Sequence, residues 1–226
     1  MRKYISLVIF FILTLSSNTY SHVDHYKNLK LLKYGLYFND KLIGHHTFEF
    51  KQKDGFLYVN GLGNFTVNKL GVALFDFKTE SVEVFKKGKL IKYNSKTVQN
   101  KKEKFSNVKI KNNKIIIDGS SFKGEAGSDL LIGTWWNHEI VKFSKQISPI
   151  SGRLMPQKVS FLGKKNIKIN EKPYKALHFH FLSDNTLPID KKKLNINIWY
   201  DTKSLLWIKS SYKKFGFWEY RLLEVK

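Results

Sequence analysis

The 226-residue chain has no cysteine. That excludes disulfide staples, thiolate metal sites and a lipid anchor carried on an N-terminal cysteine. Arginine is nearly missing: Arg2, Arg153 and Arg221 are the only three, and every other cationic side chain is lysine. Proteins that read nucleic acid lean on the arginine fork for phosphate and guanine, so nucleic acid is not an expected partner. Long apolar runs are scarce as well. Only Ile5 to Leu15 qualifies, and spanning a bilayer takes roughly 20 residues, so no transmembrane segment is expected. No Gly-x-Ser-x-Gly elbow is present. Gly61, Gly63 and the Gly124–Gly127 stretch form no phosphate-binding fingerprint and read as bends or bulges.

What is present begins with residues 1–21. Arg2 and Lys3 precede the apolar run, and Thr19-Tyr20-Ser21 ends the stretch with small residues at both positions a signal peptidase reads. This is the layout of a secretory signal peptide. The mature protein is expected to start near His22 and to work in the periplasm as one domain, 22–226. A domain of that size buries a full core without staples. The net charge is +22, and removal of Arg2 and Lys3 lowers it by two. Such a surface suits lipid headgroups or acidic glycans. Abundant Lys, Asn, Ile, Phe and Tyr are also what an AT-rich genome would encode, so the charge alone does not name a partner.

Downstream, apolar residues alternate with polar ones between turn signals. Tyr34, Leu36 and Phe38 precede Asn39-Asp40; His46, Phe48 and Phe50 share one face of the return strand; Asp54-Gly55 and Lys87-Gly88 follow. Val108 to Lys111 and Lys114 to Ile117 flank Asn112-Asn113. Lys158 to Leu162, Asn166 to Ile169 and Tyr174 to Leu182 read as strands with joints at Gly163 and Pro173. Leu194 to Tyr200, Leu205 to Tyr212 and Phe217 to Val225 close the series. Turns at about ten-residue spacing predict an antiparallel meander rather than βαβ units. The fold class is all-β with minor α: a single strongly curved antiparallel sheet, a half-barrel or open barrel of about ten strands. Residues 119–156 break the pattern. They carry Trp135-Trp136, and a short helix is expected from Asn137 to Phe143, with Trp136, Ile140 and Phe143 on one face. This insertion lies either across the mouth of the sheet or against one end.

Four motifs occur in order: Gly44-His45-His46 with Phe48; Glu83-x-Phe85 followed by Lys87-Gly88-Lys89-Leu90 and Thr97; Thr134-Trp135-Trp136-Asn137; and Ile198-Trp199-Tyr200-Asp201. With them the chain resembles an uncharacterised family of exported, β-rich proteobacterial proteins, a domain of unknown function. That resemblance implies no catalytic residue. Its fold is similar to the curved-sheet lipoprotein carriers of the periplasm.

The candidate ligand-binding residues are His46, Phe48, Trp135, Trp136, Phe143 and Trp199, taken as the lining of an apolar cleft on the concave face. Each buried aromatic removes 150–250 Å² from water, so the same residues also serve as core. His46 is expected to be buried and hydrogen-bonded. His178 and His180 flank Phe179 and point to one strand face, the spacing of a weak metal site; otherwise they lie on the wet face while Phe179 and Phe181 fill the core. Asp201 reads as a turn cap. No cofactor is implied. The leading expectation is a non-enzymatic protein that carries a lipid-like ligand. The alternatives are an envelope module that binds proteins or acidic glycans through lysines, and a histidine-based metal-dependent hydrolase.

Overall fold

The computed structural model describes residues 23, 26, 28–69, 72–112, 114–127 and 130–226; the expected signal peptide lies outside them. The first eight strands are β1 (Leu31–Phe38), β2 (Lys41–Lys53), β3 (Phe56–Lys69), β4 (Val72–Lys86), β5 (Lys89–Gln99), β6 (Lys102–Lys111), β7 (Lys114–Gly119) and β8 (Lys123–Ala126). The next seven are β9 (Leu131–Ile132), β10 (Lys145–Ile147), β11 (Leu154–Ile169), β12 (Lys172–Ser183), β13 (Asn195–Asp201), β14 (Trp207–Lys213) and β15 (Phe217–Val225). They form one sheet in the order β8-β7-β6-β5-β4-β3-β2-β1-β15-β14-β13-β12-β11-β10-β9. Every pair is antiparallel except β9 with β10.

The tight turns have a common cause. Asn39 and Asp40 take φ of 46° and 63°, Asp54 and Gly55 of 52° and 75°, and Lys87 and Gly88 of 47° and 70°. Two consecutive positive φ values match the twist of the flanking strands, which is why Asn, Asp and Gly recur there. Two turns of the same form lie outside the turn signals read from the sequence. Asn100-Lys101 reverses the chain between β5 and β6, and Asn170-Glu171 reverses it between β11 and β12. Gly163 is instead a bulge inside β11, where the register shifts between Phe161 and Lys164, and Pro173 sits within β12.

The strand number is fifteen rather than about ten. Three of the additional strands, β8, β9 and β10, are short pieces within the 119–156 segment. Gly61 and Gly63 are not bends: they lie in an unbroken β2–β3 ladder. A Cβ on Gly61 would meet Ser81 Oγ at 2.4 Å and the Phe48 ring at 3.4 Å, so close packing rather than bending selects glycine.

Curvature follows from contacts between distant strands. Strands lie about 4.8 Å apart, so β4 and β15, four steps apart, would be roughly 19 Å apart in a flat sheet. Phe75 of β4 and Trp218 of β15 nevertheless meet edge to face at 5.6 Å. The sheet therefore curls around one apolar face, where Tyr34, Phe48, Phe85, Phe181, Ile198, Tyr200 and Trp207 are buried. A second cluster of Leu36, Phe65, Val67, Phe77 and Trp218 fills one end. Near the sheet edges the β7–β8 and β10–β11 turns meet: Ser121 N–H donates to Ser151 O at 2.9 Å.

Candidate functional site

The insertion enters the curved sheet and fills it. Asn137 caps a 3-10 turn, His138–Lys142, by accepting from Glu139 N–H at 3.1 Å. The expected helix is thus present as a tighter turn. It places Trp136 and Ile140 in the core, both 0 % exposed. The Trp136 ring meets Tyr26, Phe50 and Phe85 edge-on at 5.4, 5.3 and 5.7 Å. Its indole N–H donates to Glu83 Oε1 at 2.7 Å. Glu83 is 3 % exposed. Burial raises its carboxyl to about 7, opposed in part by the Trp136 indole and by Thr134 beside it. A carboxyl in this state is shared between acid and carboxylate at neutral pH.

A second part of the insertion crosses the sheet as a strap. The Tyr93 and Ser95 hydroxyls donate to Pro149 O at 2.9 and 2.5 Å. A Cβ on Gly119 would strike Ser151 O at 2.5 Å and Gly152 Cα at 2.8 Å. The small inward residues of β5 to β7, Ser95, Ser106 and Gly119, leave room for this backbone. From the other half of the sheet, the Gln157 amide donates to Ile140 O at 3.3 Å and Phe143 O at 2.9 Å, while Tyr200 Oη–H donates to Trp135 O at 3.0 Å.

The sequence-predicted lining residues divide. Phe48, Trp135 and Trp136 join one core cluster, Trp135 resting edge-on against Trp207 at 5.8 Å. His46 faces the same side: its ring lies 4.4 Å from Phe48 and 6.1 Å from Tyr220. It is half-buried and packed among rings, with no hydrogen bond among the described residues, so the expected hydrogen-bonded state is corrected. Burial lowers its imidazole to about 4. Phe143, half-buried, ends the 3-10 turn with its N–H on Ile140 O. Trp199 points to the opposite face of the sheet, because β13 alternates buried Ile196, Ile198 and Tyr200 with partly exposed Asn197 and Trp199. Glu83, the buried acid of the interior, was hidden in the sequence between Val82 and Val84. The inward set of β4 is Phe77, Glu83 and Phe85, while Val82 is exposed.

The outer face carries a polar row around Trp199. His178 stacks on the Trp199 ring at 4.3 Å and 9°. His178 Nε2 bonds Asn197 Oδ1 at 2.9 Å, and His180 Nε2 bonds Asn195 Oδ1 at 2.8 Å. Phe181 is buried and Phe179 packs on Tyr200 at 6.2 Å, so the two histidines lie opposite the core. Burial lowers the His178 imidazole, and the Asn197 hydrogen bond partly offsets this. Among the described residues no group of three His, Cys, Asp or Glu could hold a metal ion. Along the same face Glu219 is held by both Lys209 and Arg221, and the Arg221 guanidinium lies 4.2 Å over the Tyr37 ring. Asp201 caps its turn as expected, Oδ2 accepting from Ser204 N–H at 2.8 Å and Ser204 Oγ–H at 2.7 Å.

A shallow depression of about 210 Å³ lies between the β11–β12 turn and β15, beside Asn170, Tyr174 and Leu222. It is not the aromatic-lined concave cleft, which is occupied by the insertion. No helix among the described residues is long and apolar enough to cross a membrane. No curated protein sequence matches the chain. The fold is similar to the crystal structure of a β-barrel-like protein of domain of unknown function DUF1849 from Brucella abortus, with a TM-score of 0.60. That likeness covers 88 % of this chain and 97 % of the other at 10 % identity. The sequence itself matches a family model over residues 34–223, nearly the whole β-sheet, and the chain belongs to the family described as domain of unknown function DUF6134.

Proposed function

We propose that the protein is a non-enzymatic binding module of the periplasm that works through its outside, engaging an anionic partner of the cell envelope with its lysines. The observation that carries this reading is the filled concave face. Trp136, Ile140 and the Pro149 strap occupy the space a carried ligand would need. What remains available is a surface with a net charge of +22 before removal of the signal, and such a surface concentrates anions near it. The direct measurement is binding to dextran sulfate across 20 to 500 mM salt. Affinity is expected to fall steeply as the Debye length shortens from roughly 20 Å to a few ångström. Affinity unchanged across that range would sink the electrostatic reading. Secretion is tested alongside by cell fractionation and the N-terminal sequence of the purified protein, expected to begin near His22.

A second reading is carriage of a lipid-like ligand inside the sheet after the insertion swings out. One feature favours it. The insertion joins the large sheet through two short ladders, four residue pairs of β8 with β7 and three of β10 with β11, and otherwise through scattered hydrogen bonds. Native mass spectrometry of gently purified protein decides: a co-purifying lipid supports carriage, and its absence, with no uptake of a fluorescent fatty acid, removes it.

A further inference from the structure

In a meander, alternate turns lie at the same end of the sheet, and here the two ends differ. One end gathers residues 39–41, 73–75, 100–102, 184–193 and 213–217. The other gathers the described turn residues 54–55, 87–88, 112, 170–171 and 202–204. The first end presents Phe215 at 97 % exposure, Ile189 at 61 %, Leu74 at 56 % and Leu187 at 46 %. At the second end the exposed large apolar side chains are less exposed, Val225 at 42 % and Ile110 and Ile116 at 37 %. Lysine borders the turns of both ends, so the ends differ in exposed apolar side chains and not in charge; at the first end Asp40 is paired with Arg221.

Phe215 is the centre of this asymmetry. Its φ is 55°, a left-handed conformation that bulky residues seldom adopt. The turn around it is fixed. Lys214 N–H donates to Gly216 O at 2.9 Å, Trp218 Nε1–H donates to Lys214 O at 2.9 Å, and Phe217 N–H donates to Asn39 Oδ1 at 2.8 Å. A rigid turn thus holds a phenyl ring in water, with exposed Lys213 and Lys214 before it. Gly or Asn would serve the backbone better, so the ring is not explained by the fold.

We propose that this end docks onto a membrane containing anionic phospholipid, with Phe215, Leu74 and Ile189 entering the interface and the surrounding lysines resting on the headgroups. Exposed apolar side chains ringed by lysine are what such a surface binds: apolar area leaves water, and each lysine is drawn to the negative leaflet. An acidic glycan or an acidic protein also attracts lysines, and the test separates them; a bilayer interface takes an exposed ring and its neighbouring lysines together without a matching pocket. The proposal rests on the outer-surface reading above and names its partner.

The test is co-sedimentation of the full mature protein with vesicles of phosphatidylcholine alone or with 30 % phosphatidylglycerol, beside dextran sulfate as a lipid-free polyanion. Wild type is expected to bind the phosphatidylglycerol vesicles and not the neutral ones. Phe215→Ser should lower that partitioning about tenfold, leave dextran sulfate binding unchanged and leave the melting temperature unchanged. Phe215→Trp should restore it. Equal vesicle binding by wild type and Phe215→Ser overturns the docking proposal while sparing the outer-surface reading, as does binding to dextran sulfate with none to vesicles. Binding to neither overturns both.

Discussion

Glu83 makes the stability of this protein depend on pH in a direction opposite to that of most carboxylates. Its carboxyl is raised from 4.5 to about 7 by burial in the core, which outweighs the opposing Trp136 hydrogen bond. Below pH 4.5 the folded and unfolded chains are both protonated there, and Glu83 costs nothing. Between pH 4.5 and 7 the unfolded chain ionises while the folded chain keeps its proton. The folded state binds more protons over that window, so stability falls as pH rises and levels off above it. A displacement of about 2.5 pH units at 1.36 kcal/mol each gives a loss of about 3 kcal/mol at pH 8. Glu83→Gln removes the titration and keeps an amide oxygen to accept the Trp136 indole N–H. Urea unfolding of both proteins at pH 5, 6, 7 and 8, followed by tryptophan fluorescence, reads the difference. The variant is expected to match wild type within about 1 kcal/mol at pH 5 and to exceed it by about 3 kcal/mol at pH 8. A difference that stays constant over the four pH values would refute the reasoning, because a fixed packing change carries no proton linkage.

His46 supplies the opposite slope. Its imidazole is lowered from 6.5 to about 4, so the unfolded chain protonates first and stability is lost as pH falls through that window; part of the ring remains accessible, and the loss is expected at no more than about 3 kcal/mol. A proton NMR titration should place the His46 midpoint below 5, and a midpoint near 6.5 would contradict the packing described. Gly119→Ala should destabilise by about 1 to 3 kcal/mol, because the new Cβ meets Ser151 O at 2.5 Å. Gly127→Ala, with nothing within 4 Å of its Cβ position, should change thermal stability by less than about 0.5 kcal/mol; equal effects of the two alanines would show that the strap does not press on β7.

The turn chemistry made much of the sheet legible in the sequence. Asn39-Asp40, Asp54-Gly55 and Lys87-Gly88 announce reversals because few residues tolerate positive φ twice in succession. Asn100-Lys101 and Asn170-Glu171 take the same form with a lysine or glutamate in the second position, a choice local propensity disfavours and the paired strands impose. The long strands β3 and β4 were harder to see, since Gly61 and Gly63 read as interruptions and are in fact contact points with Ser81 and Thr79. Inward and outward faces were clear on β2, where His46, Phe48 and Phe50 alternate, but β4 misleads: Val82 and Val84 outweigh Glu83 in hydrophobicity, and only the Trp136 contact assigns the acid to the interior. Trp199 and Trp136 look alike in sequence, and the parity of β13 sends Trp199 outward. That the insertion fills the cleft depends on contacts between residues far apart, such as Tyr93 with Pro149, for which no local pattern exists.

The pairing of β1 with β15 has a kinetic consequence. Nearly every other ladder in the sheet joins strands adjacent in the chain and can close as a hairpin soon after both halves emerge. The β1–β15 seam, with Leu32 opposite Val225 and Phe38 opposite Trp218, waits until the last strand arrives, and it carries the largest loop-closure entropy of any pairing. Until then β1 has only β2 beside it, and Leu32, Tyr34 and Leu36 lack the neighbours that bury them. Until β15 arrives that edge is the longest-lived unpaired strand of the folding chain, open to any partner that binds extended apolar segments.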